Sequence, residues 1–408
     1  MNAGATDTPP PGSVRFDKPF TRQEAIPEAA IAAAVAVMRS GRLHRYNTLS
    51  PGDVSETAAL ESEYAAFQGA PYCLACASGG YAMQLAMRAA GIRHGDAVLT
   101  NAFTLSPVPG AIVAVGGAPV LVETTDQLVI DLDDLADKQR ASGARWLLLS
   151  HMRGHIADMD AVTRFCHGAG VTLIEDCAHT MGASFGGTVS GNHGAMACFS
   201  TQTYKHVNSG EGGLVTTADP QLAARLVLMS GSYMLYERHA ARPDTALFEG
   251  LRDTVPNLSG RMDELRAAIL RPQVAALATS IGRWNALHDT LGDALRDAPG
   301  VVLATPHPQA HEVHSSFQLR LPGRDATAVR DLVARCSARG VELKWFGDPV
   351  ARGYTSQYSH WRYTDSVSCP TTDRVLSTLL DLRLPLSFDA ADCAVLARIV
   401  REELERRA

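Results

Sequence analysis

The chain has 408 residues, with 37 Lys and Arg against 43 Asp and Glu, and its net charge is −6. This length predicts two or three domains with a sizeable core and excludes a small disulfide scaffold. The acidic balance offers no basic excess for a phosphate backbone, so the sequence predicts no nucleic-acid partner. A small anionic ligand is compatible with it, because one Arg or one helix end suffices to bind such a molecule.

The N-terminal segment 1–20 is predicted to be a flexible tail. Its first residues are rich in Gly, Pro and Thr and lack the basic and apolar regions of a signal peptide, which indicates a cytoplasmic protein. The charge-free run 97–122 is long enough for a membrane span, but three prolines and a Gly-Gly pair interrupt it. We therefore expect a loop, a short helix and a strand there, and no membrane association.

From about residue 25 to residue 217, short apolar runs alternate with helical patterns, which is typical of a parallel sheet flanked by helices. The predicted strands are 72–77, 97–100, 119–123, 146–150, 172–175 and 195–200, in a sheet of the seven-stranded type. Helices are predicted at 79–90 and 160–168 between them. The polar motifs follow strand ends, the edge where open parallel sheets bind ligands.

Beyond residue 217 the pattern changes. Helices are predicted at 220–229, 262–295, 325–339 and 390–407, with an alternating strand at 315–321. The α/β fold therefore consists of a large domain, 21–255, with a mostly parallel sheet, and a smaller C-terminal α+β domain, 256–408.

Two motifs in the large domain carry the chemistry. Asp176 directly follows the apolar strand 172–175. Ser200 ends the strand 195–200, and Lys205 lies in the loop after it. A lysine at a buried site can form a Schiff base with an aldehyde cofactor, because burial lowers its pKa. A carboxylate facing a pyridine nitrogen keeps that ring protonated, which makes pyridoxal phosphate an electron sink.

The phosphate of such a cofactor needs backbone amides and hydroxyls. Ser78, Gly79 and Gly80 open the helix 79–90, whose N-terminus presents free amides and a positive dipole end. Ser200 can add a hydroxyl, and Phe103, after the strand 97–100, is a candidate ring for stacking on the cofactor.

These motifs resemble the sugar aminotransferases of the DegT/DnrJ/EryC1/StrS group, which are fold type I pyridoxal phosphate enzymes. The resemblance runs from the segment 41–46 to the Leu-Pro-Leu segment 384–386. It implies that Lys205 forms the Schiff base, that Asp176 pairs with the pyridine nitrogen, and that His179 and Phe103 contact the ring. It also implies a phosphate site built from Ser78, Gly79, Gly80, Ser200 and, from the partner subunit of a homodimer, Asn257.

The resemblance further implies that a small amino donor, glutamate or glutamine, aminates a keto sugar or a related ketone, with the active site at the dimer interface. The chain departs from the family in two places. Gly80 stands where a Thr is usual, which removes one hydroxyl from the phosphate site. The segment 344–363 is unlike that of nucleotide-sugar members, so the acceptor stays open among nucleotide sugars, free keto sugar acids, cyclitols and amino-acid-like ketones.

Four further residues are candidates for substrate contacts. His151 and Arg153 follow the strand 146–150, and Trp345 and Trp361 lie in an aromatic segment that is equally consistent with a small core under a loop. His151 and His155 have the spacing of metal ligands, but they follow a strand and flank a glycine, so no metal site is expected.

Competing interpretations are structural or belong to different functional classes. His179 can be a core histidine, and Asn257 can cap the next helix. The pair Cys73 and Cys76 is expected to be buried and reduced. Ser184 lies in a Gly-x-Ser-x-Gly match, but a turn or hairpin fits better there than a serine hydrolase elbow. A lyase or decarboxylase that uses the same cofactor, or a non-catalytic regulator with the same fold, would also account for these motifs.

Overall fold

The computed structural model describes residues 13–48, 53, 55–351, 357–365 and 367–406. Its α-helices are α1 (Glu28–Ser40), α2 (Glu56–Gln68), α3 (Gly79–Ala89), α4 (Pro107–Ala114), α5 (Leu132–Ser142), α6 (Met159–Ala169), α7 (Pro220–Val227), α8 (Ala246–Glu249), α9 (Glu264–Leu295), α10 (Ala326–Ala338), α11 (Pro370–Leu376) and α12 (Ala390–Glu405). Its strands are β1 (Tyr72–Cys76), β2 (Ala97–Asn101), β3 (Ala118–Val122), β4 (Trp146–Ser150), β5 (Thr172–Asp176), β6 (Ser184–Phe185), β7 (Thr188–Val189), β8 (Met196–Ser200), β9 (Gly213–Thr217), β10 (Ala310–His311), β11 (Ser316–Arg320), β12 (Lys344–Trp345) and β13 (Leu379–Arg383).

The central sheet has seven strands in the order β1-β9-β8-β5-β4-β2-β3. Only β9 is antiparallel, because it pairs antiparallel with both β1 and β8 while the remaining pairs are parallel. This confirms the predicted mostly parallel sheet, and every predicted strand is present with ends within one or two residues. The parallel strands all end at one edge, and that edge carries Ser150, Asp176 and Ser200.

Both faces of the sheet are covered, which explains why its strands are continuous apolar runs. Successive residues of β4 alternate between two hydrophobic clusters: Leu147 and Leu149 belong to one, and Leu148 belongs to the other. The period of two along a strand produces this alternation. The sheet is therefore a middle layer between two helical layers, and polar side chains reach solvent or ligand mainly at the strand ends.

The C-terminal part contains a second, antiparallel sheet in the order β11-β13-β12. The sequence predicted β11 but not β13. Phe317 of β11 and Leu380 of β13 belong to the same buried cluster as Leu147 of the central sheet, so the core is continuous between the two sheets. The domain boundary at 255/256 stays a prediction.

The tail predicted for residues 1–20 needs a correction in its described portion. Phe16 and Phe20 are 5% and 2% exposed, and both pack edge-on against Phe388. The amide of Phe16 also donates to the carbonyl of Arg339 at 2.8 Å. The segment is docked because two aromatic rings gain apolar burial there. Residues 1–12 lie outside the described residues.

The apolar run 97–122 forms β2, α4 and β3. Its prolines lie at the start of α4 and inside β3. Within the described ranges, no helix is both long enough and apolar enough to cross a membrane.

Candidate active site

A cavity of about 340 Å³ opens at the carboxyl edge of the central sheet. It brings together most of the site residues predicted from the sequence: Ser78, Gly79, Gly80, Arg153, Asp176, His179, Ser200 and Lys205. Three types of element contribute to its wall, namely the N-terminus of α3, the ends of β4, β5 and β8, and the loop that follows β8. The parallel topology causes this convergence, because the strands end at a common edge.

Asp176 is the last residue of β5 and is 6% exposed. Its Oδ2 accepts a hydrogen bond from the Ser150 hydroxyl at 2.9 Å, and that hydroxyl in turn accepts from Thr104 at 2.8 Å. Its Oδ1 accepts from the amide of Ala178 at 3.2 Å. These donors hold the carboxylate in one orientation at the cavity wall.

Lys205 lies in the loop after β8, and its Nζ is 2.9 Å from Nε2 of His179. Burial is the main cause that lowers the pKa of Lys205 to about 8, with Asp176 acting in the opposite direction. Burial and then the neighbouring Lys205 hold the pKa of His179 well below its ordinary value. At neutral pH the pair therefore consists of a neutral imidazole beside an amine that can give up its proton.

The N-terminus of α3 offers hydrogen-bond donors to the cavity. Ser78 is the N-cap, and its hydroxyl accepts from the amide of Tyr81 at 3.1 Å. The amides of Gly79 and Gly80 donate to no protein acceptor in the part of the chain that is described. A Cβ at Gly80 would have no atom within 4 Å, so this position faces open space. A phosphate group fits this cradle because it needs such unpaired amides and the helix dipole.

Two other glycines allow close packing around this cradle. A Cβ at Gly79 would lie 2.7 Å from Cβ of Ser200, and a Cβ at Gly213 would lie 2.3 Å from the carbonyl oxygen of Ser78. Only glycine permits these distances between backbone segments. They bring the end of β8, the start of β9 and the first turn of α3 into direct contact, and thereby place Ser200 beside the phosphate cradle.

The profile of the DegT/DnrJ/EryC1/StrS aminotransferase family matches residues 25–401. The chain belongs to this family. Family membership makes it a pyridoxal-phosphate-dependent aminotransferase, and the residues described above fit that cofactor. Lys205 would form the Schiff base, Asp176 would face the pyridine nitrogen, and the amides of Gly79 and Gly80 with Ser200 would hold the phosphate.

Individual relatives and solved structures agree with the family assignment. The dTDP-3-amino-3,4,6-trideoxy-alpha-D-glucose transaminase of Streptomyces venezuelae is 32% identical over 315 residues, which cover 76% of each chain. The L-glutamine:2-deoxy-scyllo-inosose aminotransferase of Streptomyces kanamyceticus is 29% identical over 344 residues, 80% of this chain and 75% of the relative. The structure of S. venezuelae DesV superposes with a TM-score of 0.77 at 28% identity, covering 93% of this chain and 95% of DesV.

Phe103, predicted to stack on the cofactor ring, does not line the cavity of this aminotransferase. Its ring is 1% exposed and packs edge-on against Phe346, with 5.0 Å between the ring centroids. The following residues Thr104 and Leu105 line the cavity instead. The loop after β2 thus directs the ring of Phe103 into a small hydrophobic cluster and places the aliphatic side chain of Leu105 at the cavity.

Asn257 is exposed and does not line the cavity of its own chain. Its Oδ1 accepts from the amide of Ser259 at 3.0 Å and from the Ser259 hydroxyl at 3.2 Å. The competing prediction that Asn257 caps the next helix is wrong, because Asp263 is the N-cap of α9. The role of Asn257 toward a partner subunit stays a prediction.

His151, predicted to face substrate, turns away from the cavity and contacts Oε2 of Glu175 at 3.0 Å through Nε2. Glu175 also accepts from the amides of Gly191, His193 and Gly194 at 2.8–3.0 Å. Although His151, Glu175 and Cys177 are close enough for a metal ion, the carboxylate is already bound by these protein donors. Burial alone would raise the pKa of Glu175, but hydrogen bonds with His151 and His193 lower it far below its ordinary value.

His155, the other histidine of the suspected metal pair, lies in a different environment. Its Nε2 is 3.0 Å from Oε1 of Gln318, and its Nδ1 is 3.5 Å from Oε2 of Glu312. The two histidines therefore share no ligand position.

Trp345 and Trp361 are 8% and 5% exposed and do not line the cavity. The indole of Trp345 donates to the carbonyl of Ser377 at 2.9 Å, and Trp361 packs with Tyr358 in a small cluster against the end of the central sheet. Both tryptophans thus have the packing role that the sequence left open for this segment. Residues 352–356 of the segment lie outside the described residues.

Several cavity residues were not predicted from the sequence: Thr104, Leu105, Ser150, Tyr204, Glu211, Ser315 and Arg383. Lys344, which begins the segment left open for a substrate role, also lines the cavity. Ser150 could have been found, because it ends a predicted strand next to the one that delivers Asp176. Arg383 could not, because β13 was not predicted.

The remaining motifs are structural. Cys73 and Cys76 are buried on opposite faces of β1, in different hydrophobic clusters, so they share no ligand site. All eight cysteines are buried and unpaired. Ser184 starts a hairpin of β6 and β7, and no helix follows it as a hydrolase elbow requires.

Proposed function

We propose that this enzyme transfers the amino group of glutamate or glutamine to the ketone of a sugar or cyclitol in a biosynthetic pathway. The observation that carries the proposal is the placement of the Lys205 amine, the Asp176 carboxylate and the amides of α3 in one cavity. These are the groups needed to attach a pyridoxal ring, protonate it and hold its phosphate.

Lys205, Asp176 and His179 have separate roles in the proposed reaction. The bound cofactor supplies the electron sink for the carbon that loses a proton. Lys205, with a pKa lowered to about 8, can accept that proton and return it as a general base and acid. Asp176 would face the ring nitrogen and pair with its proton, because Ser150 and the amide of Ala178 hold the carboxylate in that orientation. His179 stays neutral and holds the Lys205 amine at 2.9 Å.

The relatives support a sugar or cyclitol acceptor. One is named as a transaminase of a dTDP-linked deoxyglucose and another as an aminotransferase that uses glutamine and an inosose. A cavity of about 340 Å³ lies within the range of roughly 300–1,000 Å³ that is usual for small-molecule sites.

We further propose that the enzyme is a cytoplasmic homodimer whose partner subunit contributes Asn257. The exposure of Asn257, away from the cavity of its own chain, supports a contribution across an interface. Eight buried cysteines without a disulfide support a reducing compartment.

The test is the absorbance of the bound cofactor in Lys205→Ala, with Lys138→Ala of α5 as a control lysine outside the cavity. We expect Lys205→Ala to lose the visible band of the lysine-linked cofactor and to lose activity by about 10²- to 10⁴-fold or more. Lys138→Ala should keep both. A Lys205→Ala protein that retains the band and the activity would contradict the proposal.

The same assay separates an aminotransferase from the competing functional classes. An aminotransferase converts its bound cofactor stoichiometrically to the amine form when an amino donor is added and no acceptor is present. A lyase or decarboxylase on the same scaffold turns over without that conversion, and a regulator shows neither.

A further inference from the structure

Ser150 and Asp176 lie side by side at the carboxyl edge of the central sheet. β4 and β5 pair in parallel, and these two residues are partners at the last position of that pairing. The Ser150 hydroxyl donates to Oδ2 of Asp176 at 2.9 Å, and both residues line the cavity. Because Ser150 is 4% exposed, this hydrogen bond is largely shielded from solvent.

A second hydroxyl, that of Thr104, extends this contact into the loop after β2. The fully buried Thr104 donates through Oγ1 to Oγ of Ser150 at 2.8 Å. A carboxylate only accepts hydrogen bonds, and a serine hydroxyl has a single proton to donate. Because Ser150 donates that proton to Asp176, its oxygen can only accept from Thr104. The hydrogen bonds therefore run in one direction, from Thr104 through Ser150 to Asp176.

The surrounding structure fixes the two hydroxyls in place. The amide of Ser150 donates to Oδ1 of Asn101 at 2.9 Å, which anchors the backbone that carries the serine hydroxyl. Thr104 directly follows Phe103, whose ring packs edge-on against Phe346 of the C-terminal part. The hydroxyls are therefore not free to follow a rotation of the carboxylate, and they restrain it.

The other oxygen of Asp176 is restrained less. Its Oδ1 accepts from the amide of Ala178 at 3.2 Å, a longer contact than the 2.9 Å bond from Ser150 to Oδ2. The terminal torsion of an aspartate side chain has only a broad intrinsic preference, so hydrogen bonds decide its orientation. Loss of the serine hydroxyl would leave the longer amide contact as the remaining restraint.

We propose that Thr104 is a positioning residue for the cofactor, which acts through Ser150 to keep the Asp176 carboxylate directed at the pyridine nitrogen and the proton on that nitrogen. This inference rests on the proposed function, in which Asp176 faces the ring nitrogen. A protonated ring makes the bound cofactor an electron sink, so a residue two hydrogen bonds away influences its reactivity. Successive hydrogen bonds in such a chain polarise and strengthen one another.

The test is ¹⁵N NMR of the protein loaded with pyridoxal phosphate labelled at the ring nitrogen, because this chemical shift distinguishes a protonated from an unprotonated ring. The signal is followed from about pH 6 to about pH 10. We expect Ser150→Ala to raise the acid dissociation constant of the ring nitrogen by about tenfold to a hundredfold, as for one lost hydrogen bond to a charged group. Thr104→Val should raise it by about twofold to fivefold, because the bond from Ser150 to Asp176 is weakened but remains.

Two control variants separate the hydroxyl from the packing around it. Thr104→Ser keeps the hydroxyl and should give the signal of the unaltered protein. Thr100→Val should also leave the signal unchanged, because the equally buried Thr100 hydroxyl of β2 donates to the carbonyl of Leu148 at 2.8 Å.

The half-reaction with glutamate gives a second readout. We expect its maximal rate to fall in Thr104→Val and further in Ser150→Ala. The glutamate concentration at half the maximal rate should stay the same, because the ring nitrogen affects the chemical step and not the binding of the donor.

The inference and the proposed function fail in different ways. A ring-nitrogen signal that is the same in the unaltered protein, Ser150→Ala and Thr104→Val at every pH overturns the positioning role, even if transamination is found. A change of equal size in Thr100→Val or Thr104→Ser overturns it as well, because packing would then be the cause. A bound cofactor that no amino donor converts overturns the proposed function, whatever the NMR signals show.

Discussion

The phosphate cradle is built with a glycine at the second helical residue of α3, and this position can be changed without disturbing its neighbours. A Cβ at Gly80 meets no atom within 4 Å, and the residue lines the cavity. Gly79 is different, because a Cβ there would collide with Ser200. We therefore predict that Gly80→Thr adds a hydroxyl to the cradle and tightens binding of pyridoxal phosphate.

The size of the gain follows from the bond that is added. A hydrogen bond to a charged group contributes about 1.5–3 kcal/mol net, which corresponds to a decrease in Kd of about tenfold to a hundredfold. Replacing glycine in a helix also stabilises the folded chain by up to about 1 kcal/mol, because the unfolded chain loses conformational freedom. Gly80→Val has nearly the same shape as the threonine variant and lacks the hydroxyl, so it isolates this second effect.

The assay is a titration of the cofactor-free protein with pyridoxal phosphate, followed by the absorbance of the Schiff base with Lys205, and repeated with pyridoxal. We expect Gly80→Thr to lower the Kd for pyridoxal phosphate only, and Gly80→Val to raise thermal stability without this gain. An equal gain in Gly80→Val, or an equal gain for the phosphate-free aldehyde, would refute the assignment of this helix end as the phosphate site.

Three further predictions concern charge. The rate at which the cofactor-free protein attaches pyridoxal phosphate should rise with pH and level off above about 8, the lowered pKa of Lys205, as stopped-flow absorbance can show. Burial opposes ionisation of Glu61, but Arg45 outweighs it and lowers the pKa of this carboxyl from 4.5 to about 2. Because the pKa of Glu61 is lower in the folded state, the pair with Arg45 stabilises the protein fully above pH 4.5, and this stabilisation is lost as the pH falls toward 2. Glu61→Gln should lower the free energy of unfolding by about 3 kcal/mol at pH 7, measured with denaturant. The same variant should flatten the fall of stability between pH 4.5 and pH 2. Chelator treatment should leave the melting temperature unchanged, because protein donors already bind Glu175.

Much of the fold was predictable because the central sheet is buried on both faces. Such strands are short apolar runs between helical patterns, and they end in polar residues, as at Ser150 and at Glu175 and Asp176. The site follows from those ends, since parallel topology brings them to one edge. Lys205 and Gly80 were predictable for the same reason, because each lies within five residues of the end of a strand of this sheet, β8 ending at Ser200 and β1 at Cys76.

Side-chain direction in the loops was not predictable. Phe103, Thr104 and Leu105 follow one strand, and only the path of the loop decides that the phenylalanine packs in the core while its two neighbours face the cavity. Aromatic content did not predict substrate contacts, for the same reason. The indole N–H of Trp345 donates to a backbone carbonyl inside the C-terminal part. Burial and hydrogen-bond partners, which depend on tertiary contacts, determine these roles.

The proposed phosphate cradle at the N-terminus of α3 explains how an acidic chain can hold an anionic cofactor. The phosphate end relies on the amides of Gly79 and Gly80, which need no net charge because the helix dipole supplies a partial one. Changes at Gly80 should therefore alter the Kd for pyridoxal phosphate while the KM for the amino donor stays the same.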